Sequence, residues 1–245
     1  KKKKKWRLST VAGALSSRAE VAKESGKNLG LAEDRIYTDF AEMARAEAAR
    51  EDGIEAVAIV TPNHMHFAPA KAFLEAGIHV ICDKPLTSSI EDARALQKVQ
   101  PKNGAKFLLT HNYTGYPLIR QARALVESGA LGKLRVVQVE YPQAWLAVEA
   151  GDDNKQAAWR TDPSKSGAGG AIGDIGTHAY NLARYVTGLK TSAVSADLDA
   201  FVPGRQLDDN VHIMLRFEGG AKGMLWASQV AVGCENGPQL RVYGE

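Results

Sequence analysis

Residues 56–85 read AVAIVTPNHMHFAPAKAFLEAGIHVICDKP. Two short, mainly apolar runs, 56–60 and 78–82, frame a stretch with helical spacing, Phe67–Ala76, that stops at Gly77. Glycine ends helices because it enters the left-handed region without a Cβ penalty. Runs that are apolar almost throughout, rather than alternating, are typical of parallel strands buried on both faces. A strand–helix–strand unit of this length closes by a right-handed crossover, so the stretch predicts an α/β fold with a doubly wound parallel sheet.

The alternation extends in both directions. Toward the N-terminus the spacing predicts a helix over 39–50, a helix over 18–25 capped by Ser16-Ser17, and an apolar strand over 8–15 (LSTVAGAL). Toward the C-terminus it predicts a helix over 90–99 and a strand over 106–110 (KFLLT). Beyond 111–116 the pattern changes. A helix is expected over 118–128, an alternating strand over 134–141, a Gly-, Asp- and Ser-rich loop over 151–173, and a helix over 175–187 closed by Gly188. Strands follow over 193–202, 211–217, 221–230 and 239–243, with Glu218-Gly219-Gly220 as a hairpin turn. Successive strands with few helices predict an α+β domain with an open, mainly antiparallel sheet. The expected division is 1–112 and 113–245, with no internal repeat.

Composition narrows the function classes. The 245 residues carry 31 Lys+Arg against 28 Asp+Glu, a net charge of +3. Lys1 to Lys5 supply five of the positives, leaving 26 basic residues against 28 acidic ones. The body of the chain thus has no nucleic-acid footprint, and the lysine run reads as a solvated tail. No apolar run approaches the ~18 residues of a membrane span, and no apolar segment follows the lysines as in a signal peptide. Cys82 and Cys234 lie far apart with no CxxC, so neither a zinc knuckle nor a redox pair is indicated, and a reducing cytoplasm is expected.

Three segments carry candidate chemistry. In an open α/β sheet, ligands sit outside the carboxyl ends of the strands. TPNHMH (residues 61–66) and Asp83-Lys84-Pro85 both stand there, each between a strand and a helix. A Lys at such a place serves as an acid or as a cation beside a developing oxyanion, although the same residues suit a plain surface turn. The third segment is GAGGAIGDIGTH, residues 167–178. It does not fit GxGxxG, because Ile172 stands where the third glycine belongs. Asp174 and His178 are four apart, on one helix face beside the apolar stripe Ile175, Ala179, Leu182 and Val186. A carboxylate at a helix N-terminus is favoured by the macrodipole, and a His held by an Asp is the usual form of a general base. A capping Asp with a half-buried His is the plainer reading. His64-Met65-His66 also has the spacing of metal ligands, and with Asp174 and His178 it keeps a metal-dependent hydrolase open as an alternative.

Read in order, TPNHMH, DKP and GGAIGDIGTH resemble the glucose–fructose oxidoreductase/inositol dehydrogenase (Gfo/Idh/MocA) family over almost the whole chain. Asp83 stands where the family has Glu, and Asp208-Asp209-Asn210 and the hairpin follow the family's sheet domain. Trp159-Arg160-Thr161-Asp162-Pro163 resembles a subgroup of sugar or cyclitol dehydrogenases. The resemblance implies a Rossmann-like dinucleotide-binding domain over 1–112, an α+β substrate and oligomerisation domain over 113–245, and an NAD(P)-dependent dehydrogenase of a sugar, cyclitol or related polyol. Carried over residue by residue, it implies Lys84, Asp174 and His178 as the catalytic group. Thr61, Pro62, Asn63, His66, Asp83 and Lys84 would line the dinucleotide, and Tyr113, Trp159 and Arg160 would meet the substrate. It further implies a homodimer or homotetramer through the open sheet. A non-catalytic sugar-binding or structural relative is a third reading. The family's first strand and GxGxxG loop belong ahead of residue 8, where only KKKKKWR stands, and Arg241-Val242-Tyr243-Gly244 matches an internal strand, so both domains are expected to be incomplete. His111-Asn112-Tyr113 replaces an arginine pair found in many members. The acid that holds the ribose of NAD is replaced by Ser16-Ser17-Arg18, which leans toward NADP.

Overall fold

The computed structural model describes residues 18–149 and 154–245. The lysine run, the expected 8–15 strand, Ser16 and Ser17 fall outside the described residues. The chain divides into two units. The first holds 18–61, Met65–Leu86 and Ile90–Leu109; the second holds Pro62–His64, Thr87–Ser89 and the described part of Thr110–Glu245.

The first unit opens with α1 (Ala19–Asn28), which starts from Arg18 with no side-chain cap, rather than from a serine cap. In α2 (Phe40–Ala49), Asp39 accepts the Glu42 amide at 2.7 Å and fixes the helix start. Then β1 (Ala56–Ile59), α3 (Phe67–Ala76), β2 (His79–Asp83), α4 (Ile90–Gln97) and β3 (Phe107–Thr110) alternate. The sheet order is β1-β2-β3, with β1 and β2 parallel and Ile59 opposite Cys82. Gly77, at φ +87°, ends α3, and the Gly77 and Ile78 amides return to the Leu74 and Phe73 carbonyls.

One sheet face carries Ile59, Val80 and Cys82, packed with Phe73, Leu74, Met43 and Leu96 of the helices. Burial of each such side chain contributes about 2 kcal/mol. The other face is open: Ile81 is 39% and Leu108 59% exposed. Among the described residues the sheet is therefore covered on one face, not on both as its apolar strands suggest. Successive right-handed crossovers lay α3 and α4 on the same side. Within α2, fully buried Glu47 accepts Arg35 Nε at 3.1 Å, Arg35 Nη2, the Tyr37 hydroxyl at 2.8 Å and the Ile54 amide at 3.1 Å. Burial pushes its carboxyl up, but these donors outweigh it and hold the group below the ordinary carboxylate range.

The second unit runs α5 (Pro117–Glu127), β4 (Val136–Pro142), α6 (Lys155–Arg160), α7 (Pro163–Ser166), a π-helical turn (Ile172–Gly176), α8 (Thr177–Thr187), then β5 (Thr191–Asp199), β6 (Asn210–Phe217), β7 (Lys222–Ser228) and β8 (Gln239–Tyr243). The sheet order is β5-β6-β7-β4-β8, antiparallel except for the parallel β4–β7 pair. Val137, Val139, Val211, Leu215 and Leu225 pack on Ala171, Ile175, Ala179 and Ala183. The small alanines let the helix lie close on the sheet. The opposite face exposes Met214 and Met224, beside His212 stacked on Trp226 at 6.2 Å.

Two expectations are corrected in this unit. The 151–173 stretch is not a loop throughout. Asn154 caps α6 by accepting the Gln156 and Ala157 amides, Asp162 caps α7 by accepting the Ser164 amide, and Ala171 is already helical. Strand β5 stops at Asp199 rather than 202, because the Phe201 and Val202 amides turn to the buried Asp209 carboxylate, each at 3.0 Å.

Candidate active site

In the first unit, the residues after β1 and β2 emerge from parallel strands in register, at the carboxyl edge where ligands bind such sheets. Asp83 is exposed at the end of β2, and Lys84 is half-buried. Thr61 is exposed, and its hydroxyl donates to the Met65 carbonyl at 3.1 Å. His66, 1% exposed, directs Nδ1 at the Pro85 carbonyl (2.8 Å) and Nε2 at the Thr61 carbonyl (2.9 Å). Those contacts occupy both ring nitrogens and take His66 out of the HxH metal set. Among the described residues no group of three or more His, Cys, Asp or Glu side chains is arranged to hold a metal ion. Burial raises the Cys82 thiol to about 12, which leaves it inert.

Pro62–His64, although they follow β1, belong to the second unit. There Asn63, 5% exposed, donates Nδ2 to the Ser166 carbonyl at 2.8 Å, and His64 Nδ1 lies 3.4 Å from the Lys165 carbonyl.

The same unit holds Asp174 and His178. Asp174 lies within the π-helical turn, His178 one residue into α8. The helix begins three residues ahead of Asp174, so Asp174 is not its cap. The cap comes from Asp208: its carboxylate accepts the Gly170 and Ile172 amides, both at 2.7 Å, and its carbonyl accepts the Ala171 amide at 2.8 Å. A Cβ on Gly170 would lie 2.0 Å from the Asp208 carbonyl oxygen, so this approach requires glycine. Asp174 Oδ2 accepts Arg160 Nε at 3.2 Å and Gln229 Nε2 at 2.9 Å. The Arg160 guanidinium lies over Trp159, 4.2 Å from the ring centroid, and 5.8 Å from that of Trp145.

His178 sits in an aromatic shell. Tyr113 meets it edge-on at 5.0 Å and His111 at 5.9 Å, with Tyr141 at 6.3 Å. The Tyr113 and Tyr141 hydroxyls are 2.5 Å apart, and Tyr141 donates to Asn236 Oδ1. Burial, reinforced by Tyr113, pushes the Tyr141 hydroxyl well above its usual range, so it stays protonated as a donor. The structure thus brings together Tyr113, Trp159, Arg160, Asp174 and His178 in one unit. The sequence reading missed Asp208, Gln229, Tyr141 and Asn236, which reach the cluster from strands and loops far along the chain. The Asp208-Asp209 pair, set just ahead of a strand, was the visible signal for the first. A cavity of about 650 Å³ in this unit is lined by Val148, Phe201, Trp226 and Val232 among others and holds none of the predicted site residues.

Comparison with known proteins agrees with this geometry. Residues 1–113 match the model of an oxidoreductase family with an NAD-binding Rossmann fold, and residues 119–245 match the GFO/IDH/MocA C-terminal domain. The crystal structure of an oxidoreductase from Sinorhizobium meliloti is 55% identical, with a TM-score of 0.84 over 96% of this chain and 62% of that one. An inositol dehydrogenase homolog from Azotobacter vinelandii, complexed with NADH and myo-inositol, is 34% identical, with a TM-score of 0.88 over 96% of this chain and 60% of that one. Levoglucosan dehydrogenase from Pseudarthrobacter phenanthrenivorans is 34% identical over 78% of this chain and 53% of its own length. Other relatives are named as NADP(+) enzymes. The chain spans about three-fifths of the length of the structures it matches. With both family domains matched along its length, the chain belongs to the Gfo/Idh/MocA family of oxidoreductases.

Proposed function

We propose that the protein is an NAD(P)-dependent dehydrogenase of a sugar, cyclitol or related polyol. The carrying observation is the Asp174–His178 pair in its aromatic and arginine-lined cluster, in a chain whose first half matches an NAD-binding Rossmann fold. Trp145, Trp159 and Tyr113 offer ring faces to the C–H side of a polyol, while Arg160 and Asp174 offer donors and acceptors to its hydroxyls. His178 takes the proton of the reacting hydroxyl. Lys84 hydrogen-bonds that hydroxyl and stabilises the alkoxide that develops. Asp174 orients His178 and receives a neighbouring hydroxyl.

The carboxyl edge of β1 and β2 fits a dinucleotide: two parallel strands end in register and expose Thr61 and Asp83 there. Thr61, Pro62, Asn63, Asp83 and Lys84 are assigned to that side, with Ser16, Ser17 and Arg18 at the ribose, while the buried His66 ring supports the loop rather than meeting the dinucleotide. The nicotinamide, when bound, supplies the hydride acceptor. The absence of an acid among Ser16-Ser17-Arg18 favours NADP over NAD. We place the domain division at 112/113. The exposed sheet face with Met214 and Met224 suits a second copy of the chain, giving a homodimer or homotetramer. Two free cysteines fit a reducing cytoplasm.

The test is a fluorescence titration with NADH and NADPH, followed by turnover with a panel of sugars and inositols. Lys84→Ala and His178→Ala are expected to reduce turnover to a small residual rate while cofactor affinity stays within a few fold. Loss of folding in both variants would make these residues structural and sink the proposal.

A further inference from the structure

We infer that His66 is a positioning residue for Lys84: it ties the loop that carries Lys84 to the loop after β1. This rests on the reading of Lys84 given above. Thr61 lies two residues beyond the end of β1, and Pro85 two residues beyond the end of β2. The strands are parallel neighbours, with Ile59 opposite Cys82, so the two loops leave the sheet side by side. His66 spans the gap between them, Nε2 to the Thr61 carbonyl at 2.9 Å and Nδ1 to the Pro85 carbonyl at 2.8 Å. Both partners accept only, so the ring serves the two loops at once when each nitrogen bears an N–H, and one arm at a time otherwise.

The ring is itself held. His66 is 1% exposed, its carbonyl accepts the Ala70 amide as the first bond of α3, and Thr61 closes back on Met65. A buried ring wedged between two carbonyls has few ways to yield. The Pro85 carbonyl belongs to the residue bonded to Lys84, so displacement of that arm moves the lysine's backbone directly. Glutamine reaches one carbonyl and presents both amide protons from one end; no other side chain donates from opposite edges of a planar ring at this length. His66 therefore acts on chemistry through Lys84, although its buried ring stands in a loop that invites a cofactor-lining role.

The experiment compares His66→Gln, His66→Phe, Lys84→Ala and the double variant His66→Phe/Lys84→Ala in turnover, NADH affinity and thermal unfolding. Phenylalanine keeps the ring and removes both donors. His66→Phe is expected to lower kcat about tenfold to a hundredfold, the scale of a displaced catalytic group, and His66→Gln to recover part of that loss. NADH affinity is expected to stay within about threefold. In the Lys84→Ala background, His66→Phe is expected to change the residual rate by less than about twofold, because residues acting through one another are not additive.

Native kcat in a folded His66→Phe overturns the inference. So do a loss that persists in full in the Lys84→Ala background, a loss confined to NADH affinity, or failure of both His66 variants to fold, which makes the ring a packing element. Native turnover in Lys84→Ala is a separate result: it removes the reading of Lys84 itself.

Discussion

Glu47 in the first unit and Asp174 in the second are both carboxylates held by an arginine, and they are held to different degrees. Glu47 is fully buried and takes four donors, Arg35 through two nitrogens, Tyr37 and a backbone amide. Asp174 keeps 15% of its side chain exposed, and its Oδ2 receives the long, flexible side chains of Arg160 and Gln229. A carboxylate saturated by donors inside the core organises the fold. One gripped by adjustable side chains, with solvent reaching it and aromatic rings close by, is suited to a ligand. The arginine alone does not tell these apart; the burial of the carboxylate and the stiffness of the other donors do.

The largest effect expected from this contrast is on stability. Glu47→Gln removes the charge facing buried Arg35 and is expected to cost about 3–5 kcal/mol. Asp174→Asn is expected to cost less than about 1 kcal/mol and to remove turnover. Urea midpoints at constant slope read the difference. Equal losses of stability would break the comparison by making Asp174 a second structural carboxylate.

The acid limb gives a second effect. The folded-state carboxyl of Glu47 is depressed below the ~4.3 of a free glutamate. Its contribution is therefore fully present above that unfolded value and is lost as pH falls through the depressed one. Stability should fall below about pH 4 with a slope of up to about 1.4 kcal/mol per pH unit from this group. Glu47→Gln should flatten that part of the curve. An unchanged acid limb in the variant would show that the donors around Glu47 are not what depresses it.

The contrast also explains what was legible in the sequence. The first unit is built from contiguous strand–turn–helix segments, and its motif residues stand where the sequence places them: Gly77 ends α3, Asp39 caps α2, and Lys84 follows a parallel strand. The face left open among the described residues was not legible, because Ile81 and Leu108 are as apolar as their buried neighbours. The second unit depends on contacts distant in sequence. The i, i+4 spacing of Asp174 and His178 was visible, but the π-helical turn between them was not, since Asp208 fixes the first amides of that helix from 36 and 38 residues away. The caps Asn154 and Asp162 were in plain view and were absorbed into an apparent loop, because Asn, Asp, Ser and Gly favour caps and loops alike.

Asp208 and Gln229 sharpen the comparison at its fine end. Asp208→Ala removes two hydrogen bonds to helix amides and is expected to cost about 1–2 kcal/mol, with Asp208→Asn recovering part of it. The smallest effect is expected from Gln229→Ala. The Gln229 backbone is fixed independently of its side chain: its amide reaches the Asp209 carbonyl at 2.8 Å, and its carbonyl accepts the Leu146 amide at 3.1 Å. Truncation should therefore leave β7 and its neighbours in place and remove one donor to Asp174, costing about 0.5 kcal/mol. Arg160, stacked on Trp159, stays to hold the carboxylate. Such a variant should unfold only slightly earlier in urea while its kcat/KM for a polyol falls several fold. If the opposite occurs, with stability falling and kcat/KM unchanged, the donors around Asp174 serve the fold as those around Glu47 do, and the distinction between the two carboxylates fails at the point where it is most finely drawn.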